Sequence, residues 1–411
     1  MTGARARGEA MPDGPRRVGA EHEQTLGVAE LSGLLRAGDP QRQERLRRRA
    51  EAVRSAHVGD AVHLRALIEI SSHCTRRCAY CGLRAPNRRL RRYRLSLDEV
   101  VARARDAARL GLGSVVLQAG EDPALSEAGV AELVRRIRGE TGLAVALSLG
   151  ERSAGELRRW RRAGAERYLL RFETSNRALF ERLHPRAAGS TADRMPLLHR
   201  LRELDYEVGS GVMVGLPGQT WDDLAADLET FRRLDLDMIG VGPFLPHPDT
   251  PLGRNPDRHA AGADQVPADE DVTCRVVALS RLLCPRANIP ATTAVETLDR
   301  DRGYERALSS GANVLMPCFT PGAHAADYAI YPGRVRPGAD PAQAVADIHR
   351  RVTALGRTIG VGPGNSPNAA LRRAAAEGAM RATRPERNPG GGRASPGRVD
   401  RSGAEEGTPR P

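Results

Sequence analysis

Three cysteines, Cys74, Cys78 and Cys81, follow a short apolar run in the stretch LIEISSHCTRRCAYCGL and are spaced C-x3-C-x2-C. A disulfide would leave one thiol over, and tetrahedral zinc wants a fourth ligand that this stretch lacks. Soft thiolates suit an iron–sulfur cluster, in which three cysteines hold three irons of a 4Fe-4S cube and the fourth iron stays open to another ligand. The plainer alternatives are three packed thiols acting as small hydrophobes, or a zinc loop.

Other polar residues follow apolar runs further along. VVLQAGEDP brings Gln118, Gly120 and Glu121, and ALSLGE brings Ser148, Gly150 and Glu151. YLLRFETSN brings Arg171, Glu173 and Thr174, of which the arginine and the glutamate are costly to bury unless paired or bound to a ligand. IPATTAVET offers Thr292 and Thr293, and ANVLMPCFTP offers Met316 and Cys318. Glu121 alone also fits a simple strand-to-helix turn, and Cys318, with no second cysteine nearby, reads as an inert thiol. His247 lies between prolines and reads as positional rather than as a base or ligand.

These residues need elements that bring them together. Apolar runs at 65–71, 114–118, 143–148, 167–171, 207–214, 237–242, 288–292 and 312–316 alternate with helical patterns. Helix starts are signalled by Ser96 with Glu99, Ser153 with Glu156, and Thr220 before Asp222 and Asp223. Eight strands alternating with helices predict an α/β fold, a complete (β/α)8 TIM barrel, with its site at the C-terminal ends of the strands. The expected organisation is a disordered tail over 1–20 and capping helices within 21–60, near 24–36 and 41–56. The barrel then spans 61–358, closing on a helix over 341–357, and a mostly disordered Arg/Pro/Gly-rich tail covers 359–411.

The net charge is +12, yet all 63 basic residues are arginine in a chain rich in Ala, Gly and Pro. That pattern points to coding bias and solvated helix faces, so no nucleic acid partner is expected. Six cysteines, three of them clustered, suit a reducing compartment. The N-terminus has no apolar signal core, and no apolar stretch approaches the roughly 20 residues of a membrane helix, so a cytoplasmic location is expected.

With Tyr80 before its last cysteine, the cysteine loop resembles the radical S-adenosylmethionine (radical SAM) enzymes. Together with RYRLSLDE, VLQAGEDP, LSLGE, RYLLRFETSN, SGVMVGLPGQT, GVGPFLPHPDTPL, IPATTA and GANVLMP, it resembles the HydE family of FeFe-hydrogenase H-cluster maturases, kin to biotin synthase and methylornithine synthase. The resemblance implies one 4Fe-4S cluster on Cys74, Cys78 and Cys81, with SAM cleaved to a 5'-deoxyadenosyl radical. It implies that Tyr80, Glu121, Ser148, Glu173 and Arg194 position SAM, Arg194 following a short insertion around Ala187–Ser190, and that Arg171, Thr292, Thr293 and Met316 line the substrate cavity. The implied substrate is an iron-bound cysteine complex, a precursor of the dithiomethylamine bridge. Implied partners are a companion radical SAM maturase, a scaffold GTPase and a reductant such as ferredoxin or flavodoxin. Residues 331–351 contain no cysteine for a second cluster. A methylornithine synthase-like or biotin synthase-like enzyme is the neighbouring reading, and a noncatalytic iron–sulfur carrier the reading from another class.

Overall fold

A computed structural model describes residues 26–185, 193–334 and 340–382. The parallel strands are β1 (Ala61–Ser71), β2 (Ser114–Ala119), β3 (Ala144–Ser148), β4 (Ala165–Leu169), β5 (Glu207–Val214), β6 (Met238–Pro243), β7 (Val314–Leu315) and β8 (Thr358–Ile359). They run β6-β5-β4-β3-β2-β1-β7, with β8 also paired to β1. Residues of β1, β2, β5 and β6 are largely buried on both faces, as in parallel sheets covered by helices. Register matters for function: Glu69 stands opposite Gln118, and Gln118 opposite Ser148, so the C-terminal ends of β1, β2 and β3 come level.

The helices between strands start where side-chain caps satisfy their first N–H groups. Ser96 and Glu99, Ser153 and Glu156, and Thr220 and Asp223 each form a reciprocal capping box. Two N-terminal helices, Val28–Arg36 and Pro40–Val58, precede β1, and Leu31 and Leu35 of the first are fully buried.

The run over 288–292 makes isolated parallel bridges, Asn288 to Met238 and Pro290 to Val314, rather than a regular strand. Pro290 has no N–H to give a ladder. The run over 312–316 contributes a regular strand only at Val314 and Leu315. The ladders therefore establish a parallel α/β sheet, with the 288–290 segment linking β6 to β7 through single bridges.

The expectation of disorder from 359 onward needs correction as far as residue 382. Thr358–Ile359 pairs with β1, and Pro367–Ala382 is helical. The reason lies in two arginines buried near the N-terminal ends of the strands. Arg65 Nη2 donates to the Gly364 carbonyl at 3.1 Å, and Arg167 Nη2 donates to the Pro363 carbonyl at 2.8 Å. Burial, and then the neighbouring Arg167, lower the Arg65 pKa to about 9. Carbonyls from 363–364 thus supply acceptors that a buried guanidinium cannot go without. Beyond Ala369 the described chain is the rest of that helix, a separate compact unit. The expected tail over 1–20, the start of the expected capping segment over 21–25, the end of the C-terminal tail over 383–411 and the insertion at 187–190 lie outside the described residues.

Candidate active site

The cysteine loop leaves the C-terminal end of β1 and is fastened at three points. Thr75 N–H donates to the Glu121 carbonyl at 3.0 Å, Ala79 N–H to Leu183 at 2.8 Å, and Gly82 N–H to Ile330 at 3.0 Å. The end of β2 approaches so closely that a Cβ on Gly120 would sit 2.3 Å from the His73 carbonyl oxygen and 2.6 Å from Cys74 Cβ. Only glycine fits there. No cysteine among the described residues forms a disulfide. Cys74 Sγ accepts the backbone N–H groups of Arg76 and Glu121, both at 3.4 Å. Burial pushes the Cys78 thiol up to about 12 and also raises Cys74 and Cys81, so the uncomplexed thiols are held protonated.

Around the cysteines stands a charged network drawn from three strand ends and the start of the helix Met195–Glu203. Arg76 Nη2 donates to Glu151 Oε1 at 3.1 Å, and Arg194 Nε donates to the same oxygen at 3.0 Å. Arg76 Nε also lies 3.6 Å from Glu121 Oε2. Glu121 Oε1 accepts the Glu151 N–H at 3.2 Å, and desolvation raises the Glu121 pKa. Gly150, at φ 80°, leaves room for this, since a Cβ would fall 2.0 Å from Glu121 Cγ.

Glu173 adopts φ 65°, a left-handed conformation uncommon for any residue but glycine or asparagine. It is held there by pairing with β5, its N–H donating to Gly211 at 3.0 Å and its carbonyl accepting from Met213 at 3.3 Å. Backbone strain of this kind, of order 1–3 kcal/mol, persists where surrounding structure imposes it and gathers at functional sites.

Cys74, Cys78, Cys81, Tyr80, Glu121, Ser148, Glu173, Arg194 and Arg171 all line one cavity. Arg171, Thr292, Thr293 and Met316 line an adjoining one, and the two share Tyr80, Cys81, Gln118, Arg171 and Ile330. Every sequence-predicted site residue thus reaches one of two adjoining cavities. Arg76 and Arg334 do so without having been foreseen, and Glu151, noted at a strand end, proves to be the anchor of the network. Arg334 lines the second cavity and pairs with Glu69, whose carboxylate, fully buried on β1, also accepts from Thr320 Oγ1 at 3.1 Å. Thr292 spends its hydroxyl proton on the Val241 carbonyl at 3.0 Å. His247 is buried and accepts the Asp249 N–H on Nδ1 at 3.1 Å, a loop-shaping role.

The donor set suits a cluster and SAM. Three thiols open on one cavity. Glu173 Oε2 is buried without a hydrogen-bond donor, its 3.2 Å approach to Arg171 Nη2 being an ion pair only, and Arg171 Nε is buried without an acceptor. An orphan carboxylate oxygen calls for a hydroxyl or ammonium, and an orphan guanidinium N–H for an anion or carbonyl.

The radical SAM superfamily model matches residues 68–231. The chain is 43% identical over 330 residues to the FeFe hydrogenase maturase subunit HydE of Thermotoga maritima, covering 80% of this chain and 91% of that protein. It is 29% identical to 3-methylornithine synthase of Methanosarcina acetivorans, over 70% of this chain and 77% of the other. Among solved structures, methylornithine synthase (PylB) superposes with a TM-score of 0.68 at 25% identity, covering 85% of this chain and 96% of its own.

Proposed function

The chain belongs to the HydE family of FeFe-hydrogenase maturases within the radical SAM superfamily, and on that premise we propose that Cys74, Cys78 and Cys81 hold one 4Fe-4S cluster whose open iron takes SAM. Bound together, cluster and cofactor supply a 5'-deoxyadenosyl radical. The function is H-cluster assembly, and the substrate is an iron-bound cysteine complex, a precursor of the dithiomethylamine bridge. Its companions are a second radical SAM maturase, a scaffold GTPase and a ferredoxin- or flavodoxin-type reductant.

The observation that carries this reading is the adjacency of the two cavities across shared walls, with thiols and orphan polar groups in one and Arg171, Thr292, Thr293 and Met316 in the other. Tyr80, Glu121, Ser148, Glu173 and Arg194 orient SAM. Arg171 and Arg334 hold the anionic end of the substrate. Leu67, Met213 and Phe244 give the second cavity apolar walls, which exclude water from a species that would react with it. The 288–290 bridges support a sheet that closes into an eight-stranded barrel, making 61–358 the barrel domain.

The test is consumption of a synthetic iron–cysteine complex by anaerobically reconstituted protein given SAM and dithionite. Release of 5'-deoxyadenosine coupled to loss of the complex is expected. Cofactor cleavage without its consumption would move the assignment to a methylornithine synthase-like enzyme, which the likeness to PylB favours as the second reading.

A further inference from the structure

His184 follows the helix Arg177–Leu183 and is 4% exposed. Phe180 stacks on its ring at 4.3 Å, and Tyr80 meets its edge at 5.4 Å. Nδ1 lies 3.1 Å from the Phe180 carbonyl oxygen, Nε2 lies 3.0 Å from the Tyr80 hydroxyl, and that hydroxyl lies 3.3 Å from Glu173 Oε1.

Proton counting orders this chain. A carbonyl oxygen only accepts, so Nδ1 carries the proton that meets Phe180. The opposite tautomer would set a ring lone pair against the carbonyl. Burial, and after it the charge of Arg194, keep a second proton off the ring. Nε2 is therefore an acceptor. Tyr80 has one hydroxyl proton and two acceptors in reach, Nε2 at 3.0 Å and Glu173 Oε1 at 3.3 Å; turning the proton to Glu173 would set the Tyr80 oxygen lone pairs against that of Nε2, so it goes to His184. Glu173 then receives nothing from Tyr80 on Oε1, while Oε2 already lacks a donor.

We propose that His184 is a positioning residue that draws the Tyr80 proton to itself and so leaves both oxygens of Glu173 available to hydroxyl or ammonium groups of SAM. This rests on the reading of Glu173 as a cofactor contact. The same helix end already holds the loop through Leu183 and Ala79, so the Tyr80–His184 bond is a second tie between them, and one that sets hydrogen-bond polarity. Without an acceptor at Nε2, the Tyr80 proton has only Glu173 to turn to.

Two near-isosteric variants separate the ring nitrogens. His184→Asn keeps a donor toward Phe180 and loses the acceptor toward Tyr80, whereas His184→Gln places an amide oxygen near the position of Nε2. SAM titration calorimetry on reconstituted protein, with iron content measured for each variant, is expected to show about tenfold weaker binding for His184→Asn, the scale of one charge-assisted hydrogen bond. His184→Gln should bind as the parent does. Adding Tyr80→Phe to His184→Asn removes the misdirected proton and should restore affinity to that of Tyr80→Phe alone. The proposal is overturned if His184→Asn binds as the parent, if His184→Gln is equally weakened, if Tyr80→Phe fails to rescue, or if His184→Asn does not load iron. If the parent protein loads iron and ignores SAM, the cofactor reading itself fails.

Discussion

Arg194 reaches Glu151 across the mouth of the cavity, Nε donating to Oε1 at 3.0 Å with both side chains under a tenth exposed. Arg76 takes the same oxygen from the cysteine loop, so one carboxylate ties the loop to the helix that opens at Arg194. Removing one partner of a buried ion pair costs about 3–5 kcal/mol, because the remaining charge stays desolvated. Glu151→Gln should therefore lower unfolding free energy in urea by an amount near that range. It should also weaken SAM binding while iron content holds, since the thiols are untouched. Unchanged stability would show that the two guanidiniums find other acceptors.

The cysteines divide by position. Cys74, Cys78 and Cys81 share the first cavity, whereas Cys274 and Cys284 are buried with the helix Glu270–Leu283 and Cys318 lies beyond the second cavity. Cys78→Ala should reduce iron and sulfide to background and abolish formation of 5'-deoxyadenosine and methionine. Cys318→Ala should keep both iron content and cofactor cleavage. Loss of half the iron in Cys318→Ala would instead point to a second cluster.

Much of this site was legible because its thiols are contiguous. Three cysteines in eight residues need no fold to bring them together, and Glu121, Ser148, Glu173 and Arg171 each follow an apolar run that ends at one level of the sheet. Arg76 and Arg334 were not legible for a compositional reason: in a chain with 63 arginines, any one resembles a solvated face until its partner is seen across the fold. His184 offered no signal, because its role depends on which side of the ring meets Tyr80. The weaker strands failed for local reasons. Pro290 interrupts one ladder, and β8 is two residues long, too short for any period to register. The ordered segment after β8 reads as a loop because it gives the sheet carbonyl acceptors rather than apolar side chains.

Arg334 meets the second cavity with Nε buried and without an acceptor among the described residues, while Glu69 holds its other edge. Arg171 Nε is orphaned at the same cavity. Two such donors fit a ligand that offers an anionic or carbonyl acceptor better than one that offers none. Arg334→Met should leave substrate-free SAM cleavage within about twofold of the parent and reduce substrate-dependent turnover roughly ten- to a hundredfold, the range spanned by one lost charge-assisted contact. Equal losses in both assays would place Arg334 in structural support instead.

Asp227 lies fully buried behind the strained Glu173 turn, accepting from Ser175 Oγ at 2.7 Å and from Gln219 Nε2 at 3.3 Å. Desolvation nevertheless pushes its pKa up to about 7, outweighing the donors from Ser175 and Thr174. A folded-state value above that of the unfolded chain means that the folded form binds more protons between about pH 4 and 7, so this group's contribution to stability falls as pH rises through that window. Asp227→Asn removes the titration. Its destabilisation relative to the parent, measured by urea unfolding, should accordingly be larger at pH 5 than at pH 8, where the parent bears a buried charge. Groups such as Asp122, held at about 2 by its bonds to Arg94 and Ser71 against the cost of burial, have finished titrating below this window and do not contribute to the difference. A penalty that stays level from pH 5 to pH 8 would mean that Asp227 is ionised throughout, with its hydrogen bonds outweighing its burial.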